Sequence, residues 1–342
     1  MDNYIIEDEL GCGFYGTVFS CIDKRNPSLK LAIKISKCFE EEALSKEDDY
    51  SFEYWRQIDF LKKFNHKLTI LTLHDHFITT NCEQIQKKKK SLSERMKEYI
   101  DKLNKSKYCK VFVFNRTDGI LKNIMGYIKL EIDPKIMYSM VIQIIATIAF
   151  IDKQEYYYHD LHPGNIGYTK TKKQHLKLTI KNKIYKIPTF GYLFTLLDFD
   201  DIRHDKYKLS EKARTNFKIS QKYGTNVLKF IFILSNIEMV HRLIRDNFGK
   251  PTKEQEEEIL DRIKKLSEWE QMKHYVPDYY ADATYLLAVL NRKALLDVHG
   301  VDCNDVSLGS SFMEKEDLWY MATHATKYGK IIKHFIKKLN IN

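Results

Sequence analysis

The sequence predicts an α+β chain of two lobes: a small antiparallel sheet with one helix, then a larger helical lobe. Three observations predict it. Short apolar runs broken at glycines fill the first third, as hairpins do. One helical stretch, with Trp55, Ile58, Leu61 and Phe64 along a face, interrupts them. After Asp118-Gly119 the patterning turns to longer apolar helices, beginning with Pro134–Ile151. The expected lobes are therefore residues 1–117 and 118–342.

Each element follows in order. Tyr4–Phe19 reads as a hairpin, Leu31–Ile35 as a short apolar strand, and Phe52–Phe64 as the helix. Leu68–Phe77 and Lys110–Phe114 read as strands again. Between them, Thr79–Tyr108 reads as a surface insertion. It holds Lys87-Lys88-Lys89-Lys90, then a capping box at Ser91–Glu94, then Leu92, Met96, Tyr99 and Leu103 at helical spacing. Such a basic amphipathic helix is either a solvated face packed on the small lobe or a docking arm for an acidic partner or nucleic acid. Asn226–Met239, Pro251–Met272 and Tyr279–Val298 are expected helices, the last stopped by Gly300.

The 342 residues are 44% hydrophobic and 30% charged, enough for two lobes of roughly 100–200 residues each. Thirteen Gly and six Pro exclude collagen-like and low-complexity readings. Fifty-six Lys+Arg against 46 Asp+Glu give +10, which favours anionic partners such as nucleotides, acidic peptides, nucleic acid or anionic lipid. The six cysteines, at 12, 21, 38, 82, 109 and 303, show no C-x-x-C pair. That spacing suggests neither a zinc ribbon nor a disulfide framework, so a reducing, cytoplasmic compartment is expected. The acidic start Met1-Asp2-Asn3-Tyr4 leads into no apolar run, so no secretory leader is expected, and Asp2 excludes myristoylation. Met137–Ile151 is shorter than the roughly 18 residues of a bilayer span, and a buried helix is expected there.

Four motifs carry chemistry. Leu10 leads into Gly11-Cys12-Gly13-Phe14-Tyr15-Gly16-Thr17-Val18, a G-x-G-x-x-G-x-V pattern in a strand–turn–strand setting. Glycines let such a backbone fold closely over phosphates and aim N–H groups at them, although three glycines also make an ordinary turn. No helix opens directly after them, which argues against a Rossmann site. Leu31-Ala32-Ile33-Lys34 places one lysine in an apolar strand, suited to α/β phosphates, though a lone strand lysine is also a common edge residue. Tyr158-His159-Asp160-Leu161-His162-Pro163-Gly164-Asn165 has D-x-x-x-x-N spacing: Asp160 to accept a hydroxyl proton, Asn165 to coordinate a metal. In Leu196-Leu197-Asp198-Phe199-Asp200, an Asp leaving an apolar strand can hold Mg²⁺.

In this order and lobe context the four motifs resemble the protein-kinase superfamily, over roughly residues 4–240. The resemblance implies a bilobal fold with ATP and Mg²⁺ in its cleft, and phosphoryl transfer to Ser or Thr hydroxyls of protein. It implies that Leu10, Gly11, Cys12, Gly13, Phe14, Tyr15, Gly16, Thr17 and Val18 cover ATP and that Lys34 pairs with its phosphates. Asp160 would be the catalytic base, and Asn165 and Asp198 the Mg²⁺ ligands. The family's spacing back from Asn65-His66 lands on Gln57 for the partner of Lys34; Glu53, one turn earlier on the same face, is the expected partner.

The chain also departs from the family pattern. Tyr158 stands where the family has His, and His162 lies two after the base, to contact the γ-phosphate or brace the loop. D-L-H-P-G-N is similar to haspin-type kinases and aminoglycoside phosphotransferases. Asp200 replaces the glycine of D-F-G and is followed by Asp201, which fixes the segment or adds a carboxylate near the metal. No A-P-E follows, and Asn226 stands where an Asp opens the next helix, so control by phosphorylation of Ser210, Thr215 or Ser220 is not expected. Ile187-Pro188-Thr189-Phe190-Gly191-Tyr192 resembles an insertion of haspin-like kinases and those of large DNA viruses, which suggests a viral origin. Two alternatives stand beside the protein kinase. One is a small-molecule phosphotransferase of the aminoglycoside or choline-kinase type. The other is a binding module that docks through residues 79–108.

Overall fold

The first glycine-broken run folds as a hairpin of β1 (Tyr4–Cys12) and β2 (Gly16–Asp23). It belongs to a computed structural model that describes residues 2–12, 16–65, 69–80, 82, 94–121, 133–158, 160–180, 183–207 and 324–340, with scattered positions from 226 to 321. β3 (Asn26–Lys37) follows, then α1 (Glu40–Ala43), α2 (Glu53–Phe64), β4 (Leu73–Thr79), α3 (Glu94–Lys105) and β5 (Cys109–Asn115). The strands form one antiparallel sheet in the order β1-β2-β3-β5-β4. The fold is thus mixed α+β with antiparallel sheets.

Strand alternation sorts the two faces of this sheet. Leu31, Ile33 and Ile35 of β3 join Phe19, Cys21, Val111 and Val113 in a core on one face. Ala32, Lys34 and Ser36 point to the other. There the Tyr54 ring of α2 lies 5.4 Å from the Phe112 ring of β5. α2 buries Tyr54, Gln57, Ile58, Phe60, Leu61 and Phe64, a wide apolar stripe at helical spacing.

A disulfide joins Cys82 to Cys109, where the cysteine spacing suggested none. Sheet pairing brings the two together: Thr79 is the register partner of Cys109, and Cys82 lies three residues beyond it. The insertion's helix is present as α3, while Lys87–Lys90 and Ser91–Ser93 lie outside the described residues.

The chain divides into two compact units, Met1–Asp118 with Leu197–Leu209, and Gly119–Leu196 with Ser210–Asn342. The first boundary falls one residue past the expected one. Unlike the expected lobes, the segment carrying Asp198 belongs with the first unit, because Phe199 packs on Phe60 of α2.

The second unit holds β6 (Gly119–Ile120), α4 (Pro134–Lys153), β7 (Tyr156–Tyr158), β8 (Ile166–Lys170), β9 (His175–Ile180), β10 (Lys183–Pro188), β11 (Tyr192–Leu196) and α5 (Tyr328–Lys338). Asp133 caps α4 by accepting from the Lys135 N–H, with Pro134 at the first helical position. β11, β8 and β6 form a three-stranded sheet, and β9 and β10 a hairpin. This stretch is richer in strand than the helical patterning suggested. Buried Gln143 of α4 explains how the helix carries a sheet. Its Oε1 accepts from the Phe194 N–H at 2.9 Å, and its Nε2 donates to the Tyr192 carbonyl at 3.3 Å. α4 is long and apolar enough to cross a membrane, yet most of it is buried here and α5 packs against it. Asn226, Val227, Phe230 and Leu234 are helical as expected; the rest of that helix, and those expected at Pro251–Met272 and Tyr279–Val298, lie outside the described residues.

The Tyr328 hydroxyl of α5 donates to Asp152 near the end of α4. The other carboxylate oxygen, Oδ1, is buried and accepts no hydrogen bond. Burial pushes the Asp152 carboxyl up to about 6 from 3.8, against the pull of the Tyr328 bond. The folded chain therefore holds this proton more tightly than the unfolded chain. Stability from this group is full below pH 3.8 and is lost as pH rises through about 6. A displacement of that size corresponds to about 3 kcal/mol. Asp152→Asn keeps an acceptor for Tyr328 and removes the charge. Urea unfolding at pH 4 and pH 7.5 should show the variant gaining on wild type by a few kcal/mol at the higher pH only; an equal difference at both would refute the assignment.

Candidate active site

Lys34 sits in the middle of β3, opposite Val18 of β2 and Phe112 of β5, on the face that α2 covers. Its ammonium is buried between two carboxylates, 2.9 Å from Asp198 Oδ1 and 2.5 Å from Asp200 Oδ2. Burial pulls the Lys34 ammonium down, but Asp198 and Asp200 outweigh it and hold it above the ordinary lysine range. Burial opposes charge on Asp200 too, yet Lys34 and Lys110 outweigh it and keep that carboxyl below its usual range. Asp198 moves the other way, raised by burial and by the neighbouring Asp200. The φ of Asp198 is +54°, a left-handed conformation that costs a non-glycine residue about 1 kcal/mol or more. Its surroundings enforce that conformation. Phe199 is fully buried and stacks on Phe60 with ring centroids 4.8 Å apart. Farther on, past β12 (Ile202–His204), Lys206 and the Tyr207 hydroxyl both reach Asp59 of α2, at 2.6 and 2.8 Å. The segment is tied to α2 at both ends.

Glu53 is not the hydrogen-bonded partner of Lys34. Its carboxylate meets Lys110 of β5 at 2.5 Å, and Glu42 of α1 lies 3.5 Å from the same ammonium. Burial pushes the Glu53 carboxyl up to about 7 in spite of Lys110. Gln57, the residue the family spacing landed on, is buried in α2.

The glycines of the first motif divide into two kinds. A Cβ on Gly16 would stand 2.3 Å from Ser36 Oγ and 2.4 Å from the Ile35 carbonyl, so the close approach of β2 to β3 requires glycine there. A Cβ on Gly11 would meet nothing within 4 Å, and Gly11 is exposed. The protein itself makes no demand for glycine at 11; a ligand lying on the strand would. Leu10 beside it is exposed, Thr17 is buried with its hydroxyl 3.6 Å from Cys12 Sγ, and Val18 is half-buried. Gly13, Phe14 and Tyr15 lie outside the described residues. Gly16→Ala should therefore cost stability by about 1–3 kcal/mol, as overpacking does. Gly11→Ala should leave chemical unfolding unchanged and weaken binding of Mg·ATP; equal losses of stability in the two variants would count against this division.

In the second unit the 158–165 loop is built around buried Leu161 and Asn165. Pro163–Asn165 makes one 3-10 turn, capped by His162, whose Nδ1 accepts from the Gly164 N–H at 3.0 Å. That bond leaves the proton of the neutral imidazole on Nε2, which lies 3.5 Å from Asp160 Oδ2. His162 thus braces the loop. A Cβ on Gly164 would stand 2.8 Å from the His162 ring, so a side chain there would push the imidazole out of its place. Asn165 Nδ2 donates to both the Asp160 carbonyl, at 3.0 Å, and its carboxylate Oδ2, at 3.1 Å. The amide oxygen is then the atom with which Asn165 would bind a cation. The Asp160 carboxylate is exposed, as a group that meets an external hydroxyl has to be. His159 lies outside the described residues.

Among the described residues no three His, Cys, Asp or Glu side chains form a ready metal cage. Mg²⁺ does not need one, because it binds through one or two carboxylates together with substrate phosphates. The residues present fit that mode. Asp198 is the more exposed carboxylate of its pair, and Asp200 Oδ1 is buried and accepts no hydrogen bond. The chain matches no family model, and no curated protein matches it. Residue geometry therefore carries the functional reading. Two members of the site were not singled out as partners of the lysines: Lys110 as the captor of Glu53, and Asp200 as a ligand of Lys34. The signal for Lys110 was present, as the one charged residue in the run Cys109–Phe114, at even spacing from Phe112 and Phe114.

Proposed function

We propose that this chain is a protein kinase of bilobal type, transferring the γ-phosphoryl group of ATP to Ser or Thr hydroxyls of protein. The observation that carries the reading is the meeting of Lys34 and Asp198, 164 residues apart in sequence and 2.9 Å apart in space, beside a glycine hairpin. Nothing about sheet packing calls for a lysine and two aspartates to be buried together. Breaking even one partner out of such a group costs about 3–5 kcal/mol. An anionic ligand with its metal gives both signs of charge a use. The sheet order β1-β2-β3-β5-β4 with α2 against it supports the fold part of the proposal.

Lys34 holds the phosphates of the donor, and the strand bearing Gly11 leaves its backbone open to them. In the first unit Asp198 is the choice for Mg²⁺, which when bound would neutralise charge on the phosphates; in the second unit the Asn165 amide oxygen is the atom suited to a cation. Asp160 orients the acceptor hydroxyl and takes its proton as the oxygen bonds to phosphorus and the bond to the β-phosphate oxygen breaks. Asn165 keeps the Asp160 carboxylate in place, and His162 fixes the turn beneath it. The rate enhancement comes from placement and electrostatics, with little covalent chemistry for the protein to do.

Radiolabelled ATP tests the reading. Purified chain with Mg²⁺ should label a basic protein mixture at serine and threonine. Label appearing instead in an aminoglycoside and choline panel would move the assignment to a small-molecule phosphotransferase. No label, with no Mg·ATP-dependent thermal stabilisation, would leave the binding module.

A further inference from the structure

We propose that Asp200, and not Glu53, positions Lys34 for the nucleotide, because a second buried lysine, Lys110, has taken Glu53. The inference rests on the phosphotransfer reading and specifies how its lysine is held.

The sheet register makes the substitution of partners possible. Lys34 stands opposite Phe112, and Ser36 stands opposite Lys110, so both lysines lie on the sheet face that α2 covers. Two ammonium groups on one buried face need carboxylates, and the helix offers Glu53 alone at that point. Lys110, more deeply buried than Lys34, takes it at 2.5 Å and adds Glu42 at 3.5 Å. Glu42 is itself anchored, since its Oε1 also accepts the Tyr54 N–H at 2.9 Å. Lys34 is left to the 198–200 segment.

Of the two aspartates there, Asp198 is the more exposed and the one suited to Mg²⁺. A carboxylate that turns to a cation no longer holds an ammonium in one orientation. Asp200 remains. It lies deeper, meets Lys34 at 2.5 Å, and is fixed by the burial of Phe199 between the two aspartates. It also stands where a glycine would offer no side chain at all, so the extra carboxylate and the missing helix partner are two halves of one exchange. Lys34 is thereby set by the segment after β11, while Glu53 of α2 is left to Lys110 of β5.

Steady-state kinetics with Mg·ATP on Asp200→Asn, Glu53→Gln, Lys34→Met and the double variant Lys34→Met/Asp200→Asn tests this. Misplacing a group that holds the donor should lower kcat/KM for ATP by about 100-fold in Asp200→Asn. Because Asp200 acts through Lys34, the double variant should fall within about twofold of Lys34→Met alone. Glu53→Gln should cost thermal stability and lower kcat/KM less than about tenfold, being coupled to Lys110 instead. The reverse ranking, or independent losses in the double variant, overturns the inference while a labelled wild-type product keeps the kinase reading. A wild type with neither transfer nor Mg·ATP-dependent stabilisation overturns both. If Asp200→Asn does not fold, Asp200→Glu, which keeps the charge one methylene further out, is compared with Glu53→Asp, and the larger kcat/KM loss is again expected at 200.

Discussion

Asp160→Asn should abolish phosphoryl transfer while leaving the fold intact. The Asp160 carboxylate is exposed, and its contacts include Asn165 Nδ2 at 3.1 Å and His162 Nε2 at 3.5 Å. An asparagine oxygen accepts the first of these equally well. Exposed substitutions of this kind stay within about 0.5 kcal/mol of wild-type stability. What the variant loses is a group that can take a proton. General-base catalysis contributes about 10²–10⁴-fold, so labelled product should fall by that factor with the KM for ATP little changed. Mg·ATP-dependent thermal stabilisation should persist, since Asp160 holds neither nucleotide nor metal in the proposed scheme. Label undiminished in Asp160→Asn would mean that the base is misassigned, whatever the acceptor. His162→Ala gives a useful contrast. Its Nδ1 bond to Gly164 organises the turn, so its loss should be smaller than that of Asp160→Asn.

The parts of the site that sequence made legible are those where chemistry dictates a spacing. Asp160 and Asn165 are five apart because one 3-10 turn lets the amide reach back to the carboxylate. Lys34 was legible because an isolated lysine inside Leu31–Ile35 has to be either an edge residue or a buried cation with a purpose. Partner choice was not legible. Whether Glu53 meets Lys34 or Lys110 depends on which strand lies beside β3, and that is set by the pairing of β3 with β5 across some eighty residues of chain. The same reason hid the Cys82–Cys109 disulfide, which no local spacing announces. Gly11 and Gly16 look alike in the motif, yet only Gly16 is demanded by the packing of its own sheet. The strands from 166 to 196 were partly masked by α4, whose apolar run suggested a helical environment. The buried Gln143 on that helix was the overlooked sign that a strand edge needed hydrogen-bond partners.

Lys34→Met should be the most damaging single change in the first unit, and in two separable ways. The methionine fills a similar volume, so packing is preserved. Its neighbours are not: Asp198 and Asp200, held at 2.9 and 2.5 Å in the wild type, become two adjacent like charges that have lost the ammonium between them, with Lys110 the remaining positive charge acting on Asp200. Removing one member of a buried ion pair costs about 3–5 kcal/mol, because the remaining charge stays desolvated. Urea unfolding should show a loss of this order. The catalytic loss is distinct. A preorganised cation on the transferring phosphates is worth about 10²–10³-fold, which sets the expected drop in labelled product under conditions where the variant is folded. Lys34→Arg separates the two effects. It restores a charge for the aspartates, and with it much of the stability. Its planar, larger head does not fit the point between Oδ1 of Asp198 and Oδ2 of Asp200, so transfer should stay low. If Lys34→Arg recovered activity in step with stability, the lysine would be a structural counter-ion only, and the case for a nucleotide at this site would lose its main support.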